Sequence, residues 1–247
     1  GTTQGLISSN TSRFGIKGDE DLGGGLKAIY QMETSFIADE GGGTLAGRNT
    51  FAGLTDSGWG TVKIGRHDTP YKELGYKVNR FIEQVGDARN VMGAGTAAAT
   101  ESRTGFDSRS DNMVRYDSPT FGGAKVSYLH SNNNGAAATS TSDEGASTGG
   151  QTWNSLSGTW QSGPLFLGAA WEKHGKTTTT TEEESGLRLV GEYAFGDLVL
   201  GLLWESLSDL AGVSGDDADV LGLAAAYKFA NNTLKLHYFD RDKSDKA

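Results

Sequence analysis

The chain of 247 residues carries 22 Lys and Arg against 31 Asp and Glu, a formal charge of −9, which opposes binding to nucleic acid through phosphate neutralisation. It has no cysteine, so disulfides, thiolate metal sites and cysteine nucleophiles are excluded. The longest apolar run, residues 198–204, is far short of the roughly 18 residues that a membrane-spanning helix needs, whereas 37 glycines and 3 prolines suit many short strands joined by turns.

Nothing near Gly1 resembles a basic and then apolar leader, so the chain reads as mature protein or a fragment. From Arg13 onward the dominant signal is a two-residue period. Phe14 and Ile16 alternate with Arg13, Gly15 and Lys17. Leu26, Ala28, Tyr30 and Met32 follow, then Phe51 between Thr50 and Ala52, Val62 and Ile64 around Lys63, and Val126 and Tyr128 around Ser127. Later segments are cleaner: Leu165 to Trp171, Leu187 to Phe195, Leu198 to Trp204, Leu221 to Phe229 and Leu234 to Tyr238, with Arg188, Glu192, Glu205, Lys228, Lys235 and His237 in between. About twelve such segments predict antiparallel strands with one apolar and one wet face.

The connectors alternate in length. Short ones (19–25, 55–60, 118–123, 161–164, 194–197, 229–232) close hairpins, and long ones (about 37–47, 68–111, 131–151, 173–186, 206–218) separate them. Trp59, Phe121, Trp160, Phe195 and Phe229 fall beside short turns, and Phe36, Tyr128, Trp171, Trp204 and Tyr238 near the other strand ends. About ten residues at ~3.3 Å each, tilted by ~40°, rise roughly 25 Å, which matches the apolar band of a transmembrane barrel with aromatic girdles. A soluble sandwich also alternates, but has no need of aromatics gathered at both strand ends.

Residues 12–36 (SRFGIKGDEDLGGGLKAIYQMETSF), 48–70 (RNTFAGLTDSGWGTVKIGRHDTP) and 112–130 (NMVRYDSPTFGGAKVSYLH) resemble the general diffusion porins of Gram-negative outer membranes, particularly the beta-proteobacterial type. The resemblance implies an all-β fold: a transmembrane antiparallel β-barrel of 16 strands, of which about 12 are represented here. The chain would form a single barrel domain over 1–247, lacking the first and last few strands, with 68–111 as an inward-folded constriction loop. It further implies a homotrimer in the bacterial outer membrane, in contact with lipid and lipopolysaccharide, that passes small hydrophilic solutes and ions. The trimer contact would involve the first strands and residues 36–48.

In such porins wall arginines face carboxylates on the inward loop. The matching positions are Arg13, Arg48 and Arg109. Alternation independently sets Arg13 out of phase with Phe14 and Arg48 out of phase with Phe51. The expected acids are Glu83 and Asp87, four apart and on one face if their segment is helical, with Glu73 and Glu101 as competitors. Arg80 and Arg89 lie in the same loop, and Arg66 belongs to a local ion pair or to the loop and trimer support. Lys17, Lys27, Lys63, Arg115, Arg188 and Lys235 are expected to line the pore against Glu33, Asp117, Glu172, Glu192 and Glu205, giving a mild anion preference. Acidic external loops at 141–147, 181–185 and 215–219 carry the negative excess; solvated loops and divalent-ion sites are both open readings. His67, His130, His174 and His237 are scattered without a GxSxG or HExxH context, so no enzyme activity, metal or cofactor is expected. A substrate-specific channel and a non-conducting structural or adhesive barrel are the alternatives.

Overall fold

The computed structural model describes residues 11–94, 105–134, 150–177 and 180–245. The strands are β1 (Arg13–Gly23), β2 (Leu26–Phe36), β3 (Gly43–Thr44), β4 (Thr50–Asp56), β5 (Gly60–Asp68), β6 (Arg109–Asp117), β7 (Ala124–Asn134), β8 (Gln151–Ser162), β9 (Leu165–His174), β10 (Glu184–Phe195), β11 (Leu198–Ser208), β12 (Asp216–Phe229) and β13 (Asn232–Asp245). All belong to one antiparallel sheet in which each long strand pairs with its neighbours in sequence, and β3 pairs on β2 off that path. The twelve expected strands are therefore present, and the short β3 lies inside the 37–47 connector. Several strands run further into the short connectors than alternation predicted: β1 continues through Asp19, Glu20 and Asp21, where Lys27 Nζ meets Asp19 Oδ2 at 2.8 Å across the hairpin.

The register sorts side chains onto two faces. On one lie Ala169, Leu189, Trp204 and Leu221, opposite one another across β9 to β12. This bare face keeps large apolar side chains open, with Leu189 43%, Leu202 49%, Phe195 58% and Phe14 67% exposed. A soluble monomer rarely shows such a continuous apolar surface, and a sheet in lipid requires one.

The other face bears the β5–β6 connector. Its first turn forms because Thr69 Oγ1 accepts from the Lys72 amide at 3.2 Å and Pro70 opens helix α1 (Pro70–Gly75), an N-terminal arrangement that uses proline where no amide partner is needed. From the connector, Tyr71, Leu74, Val78, Met92 and Phe106 pack on Phe166, Val190, Leu203, Leu207 and Val220 of the wall. Burying each large side chain contributes roughly 1.5–3 kcal/mol, so the wall holds the connector by apolar contact as well as by charge. Wall glycines make room: a Cβ at Gly168 would lie 2.4 Å from Leu74 Cδ1, and one at Gly186 would lie 2.9 Å from the Tyr71 hydroxyl.

Phe51 departs from the expected phase. It lies opposite Gln31 and Gly65, with the Lys63 ammonium 5.1 Å over its ring and His67 at 5.2 Å, all on the connector-bearing face. Ala52 and Leu54 take the bare face instead. Around Phe51 apolar character exists at both phases, so periodicity alone picks the wrong member.

Candidate functional site

Charged groups join the connector to the wall at several places, two of them as clusters. In the first, Arg48 donates through Nε to Glu33 of β2 and through Nη2 to Glu83 Oε1 at 3.3 Å. Arg13 Nη1 lies 3.5 Å from the same Glu83 oxygen and 4.0 Å from Glu33 Oε1. Arg109 is separate from this pair. Its Nε donates to Asn49 Oδ1 at 3.0 Å and lies 3.3 Å from Asp68 Oδ1, which also takes the Lys72 ammonium at 2.6 Å. Burial pulls the Lys72 ammonium below its ordinary value, with Asp68 opposing that shift. A recess of about 200 Å³ opens between Arg13, Arg48, Asp68, Tyr76, Ile82 and Glu83. Arg13, its side chain 49% exposed against 14% for Arg48, is the cation most open to solvent there.

Arg48 reaches this cluster for a different reason from the one periodicity supplied. It precedes β4, in a bend, so strand phase does not extend to it; the Arg48 amide, donating to the Glu33 carbonyl at 3.1 Å, sets its direction.

Glu83 and Asp87 do not share a helical face. Their segment has only a 3-10 turn at Ala88–Asn90, and Glu83 sits at φ 63, a left-handed conformation that is costly for a residue with a Cβ. Asp87 explains the fold. Its carboxylate accepts from the Glu83 amide at 2.8 Å, the Arg89 amide at 2.9 Å and Asn79 Nδ2 at 2.8 Å, and takes the Arg89 guanidinium. Local capping by Asp competes with helix, and here it leaves Glu83 facing the wall and Asp87 turned into the loop. Burial pushes the Asp87 carboxyl up, but the Arg89 side chain and the two backbone donors outweigh it and hold it well below the usual carboxylate range.

The second cluster is buried. Arg188 of β10 donates to Asp107 Oδ1 at 3.0 Å, Asp107 Oδ2 at 3.1 Å, Glu205 Oε1 at 2.8 Å and the Tyr71 carbonyl at 3.1 Å. Glu205 also accepts from the Tyr71 hydroxyl at 2.7 Å and from the Gly93 amide. Gly93 holds φ 71 beside Asp107, where a Cβ would come within 2.1 Å of Asp107 Oδ2.

Of the residues expected to line a pore, Arg188 and Arg115 are corrected. Both are on the connector-bearing face, but Arg188 is 0% and Arg115 3% exposed, because the connector covers them. Arg115 Nη2 donates to Glu73 Oε2 at 2.6 Å and to Asp117 Oδ1 at 2.8 Å, so Glu73 serves Arg115 and not the first cluster. Glu172 and Glu205 are likewise fully buried. Lys63 approaches Asp117 at 3.1 Å. Lys17, Lys27 and Lys235 are exposed and share the connector-bearing face by register. Arg80 donates to Glu192 Oε2 at 2.9 Å. Arg66 pairs with Asp111 and donates to the Gly47 carbonyl at 3.0 Å, a local ion pair. Glu101 and residues 141–147 lie outside the described residues. Sequence reading missed Asp68 and Asp107 as anchors; an acid directly before a Thr-Pro helix start is the only local signal for the first, and none marks the second.

A family model described as Gram-negative porin matches residues 1–247. The chain is 29% identical over 244 residues to the major outer membrane protein P.IB of Neisseria lactamica, covering 94% of this chain and 66% of that protein. It is 26% identical over 216 residues to outer membrane porin protein 32 of Delftia acidovorans, covering 86% of this chain and 59% of that protein. Among solved structures, the anion-selective porin from Comamonas acidovorans superposes with a TM-score of 0.75 at 23% identity, over 94% of this chain and 69% of that one, a likeness of fold. The chain thus spans about two thirds or less of the curated relatives it matches.

Proposed function

Because the chain belongs to the Gram-negative porin family, a family of outer-membrane β-barrel proteins, we propose that it is the wall and constriction loop of a passive diffusion channel for small hydrophilic solutes and ions. The observation that carries this reading is that residues 69–94 and 105–108 of the connector lie against the polar face of a sheet whose other face is apolar and bare. In that arrangement lipid takes one face, water the other, and the connector narrows the path. Arg13, Arg48 and Glu83 form the charged edge of the passage, with Arg109 behind them on Asp68. Lys17, Lys27 and Lys235 line the wider part.

Arg13 and Arg48 line the recess with Glu33, Glu83 and Asp68, and Lys72 and Arg109 pair with that Asp68. Four cations against three carboxylates leave a small positive excess, and opposed charges across a narrow gap bias ion selectivity. Mild anion preference follows, in keeping with the anion-selective porin that shares the fold. A homotrimer, with the first strands and residues 36–48 at the contact, completes the proposal.

Planar-bilayer recording tests it. Large, stepwise, passive currents are expected, with reversal potentials in a salt gradient favouring anions. Glu83→Gln should raise the anion preference and Arg13→Gln should lower or reverse it. Absence of current would favour a structural or adhesive barrel, saturable block by one solute a specific channel, and wild-type cation preference would overturn the charge assignment.

A further inference from the structure

Two histidines outside the charged clusters hold the connector from opposite limbs, and their hydrogen bonds demand different protonation states. His174 ends β9 and is fully buried. Its Nδ1 lies 2.9 Å from Glu184 Oε2 and its Nε2 2.9 Å from Glu172 Oε1. Ionised carboxylates only accept, so two such bonds to ionised Glu172 and Glu184 need hydrogen on both ring nitrogens, the imidazolium form. It is stacked between Trp153 of β8, at 3.8 Å and 15°, and Phe106 of the returning limb, at 4.6 Å and 16°. A cation between two aromatic faces is favoured by their quadrupoles.

His237 of β13 holds the outgoing limb. Its Nε2 lies 2.7 Å from the Gly86 carbonyl oxygen and therefore donates, while its Nδ1 lies 3.4 Å from the Arg80 amide nitrogen and accepts. Only the neutral ring with hydrogen on Nε2 makes both bonds. Phe81 and Phe239 present edges to it at 4.8 and 5.1 Å.

We propose that His174 and His237 are positioning residues for the connector, which is fully seated only while His174 is charged and His237 is neutral. A proton added to His237 Nδ1 would point at the Arg80 N–H and remove that bond, loosening residues 80–86 while Phe106 keeps its stack. Protonation of His237 thus releases one limb alone. The charged groups around His237 are Arg80 itself, whose guanidinium is on Glu192 of β10, Asp87 beside Gly86, held by Arg89, Lys228 of β12, and Lys235 and Arg241 on its own strand face. Around His174 they are Glu172 of β9, Glu184 of β10 and, next to Phe106, Asp107, which is held by Arg188; the facing row of β8 is Trp153, Ser155 and Ser157, without charge.

The consequence for conduction rests on the channel reading above, but the hydrogen-bond states do not. The protein labelled with 15N-histidine and folded in lipid bilayers tests them by NMR. At neutral pH both His174 ring nitrogens should resonate as protonated, and His237 should show a protonated Nε2 and a bare Nδ1. Lowering the pH until His237 protonates should reduce the amide protection of residues 80–86, taken against the intrinsic exchange rate at each pH, about fivefold, the equivalent of losing one hydrogen bond, and leave that of Phe106 unchanged. His237→Gln, which keeps a donor for Gly86 but has no proton to gain, should abolish that pH dependence. A bare nitrogen on His174 at neutral pH, a bare Nε2 on His237, or the same pH-dependent loss of protection in the Gln variant would overturn the proposal. Should the variant not fold, the wild-type spectra and exchange decide. Missing current with the histidine states as stated would count against the channel reading only.

Discussion

At the scale of single residues, local hydrogen bonding decides which loop acid meets the wall. Asp87 commits its carboxylate to the backbone of its own turn, and that leaves Glu83 as the acid on Arg13 and Arg48. The folded Asp87 carboxyl is held below its ordinary value of 3.8, so the unfolded turn binds a proton more readily than the folded one. Its stabilisation is therefore complete above that ordinary value and is lost as pH falls below it towards the folded one. Amide protection of residues 79–90, taken against the intrinsic exchange rate at each pH, should fall on acidification below about pH 4, and Asp87→Asn should show the lower protection at neutral pH already. Equal protection in both proteins across that range would show that the turn does not depend on the carboxylate.

Among the elements, the seat of the connector is a packed surface with charge sealed inside it. Arg188 is wholly buried with Asp107 and Glu205 as partners, and Tyr71, Leu74 and Phe106 fill the space left by wall glycines. Filling that space should dislodge the connector while leaving the strands paired. Gly186→Ala places a methyl against the Tyr71 hydroxyl, Leu207 and Phe106 at 2.9 to 3.1 Å, an overpacking expected to cost about 1–3 kcal/mol. Proteolysis within residues 69–94 should become faster in this variant, with the strand content by circular dichroism unchanged. Unaltered cleavage would mean that the seat yields without cost.

For the whole molecule, the two faces of the sheet live in different solvents. Leu202, near the middle of β11 on the bare face, should face the centre of the bilayer. Leu202→Arg is expected to destabilise insertion by about 2–4 kcal/mol, the usual cost of a lipid-facing arginine at the midplane of a barrel. Folding yield into lipid vesicles against denaturant measures this. Lys17→Arg, on the opposite face, should cost nothing measurable. Full folding yield with Leu202→Arg would contradict the assignment of lipid to this face.

The polypeptide by itself settled the strand order, the faces of β9 to β13 and the inward phase of Arg13, because a period of two is a local property and each hairpin repeats it. The alternation of short turns and long connectors likewise marked residues 68–111 as exceptional. Both phases are apolar along LVLGLLW of β11, a trace of the double burial that Leu203 reveals only under the connector. What lay beyond reach was which charges are covered. Arg188 and Arg115 alternate like any water-facing residue, and only the chain folded back over them, from 117 residues away in the case of Arg188 and Tyr71, turns them from lining into anchors. The pairing of β4 with β2 and β5 set Phe51 on the inner face, and local capping by Asp87 divided it from Glu83; neither register nor backbone capping leaves a periodic mark in the sequence.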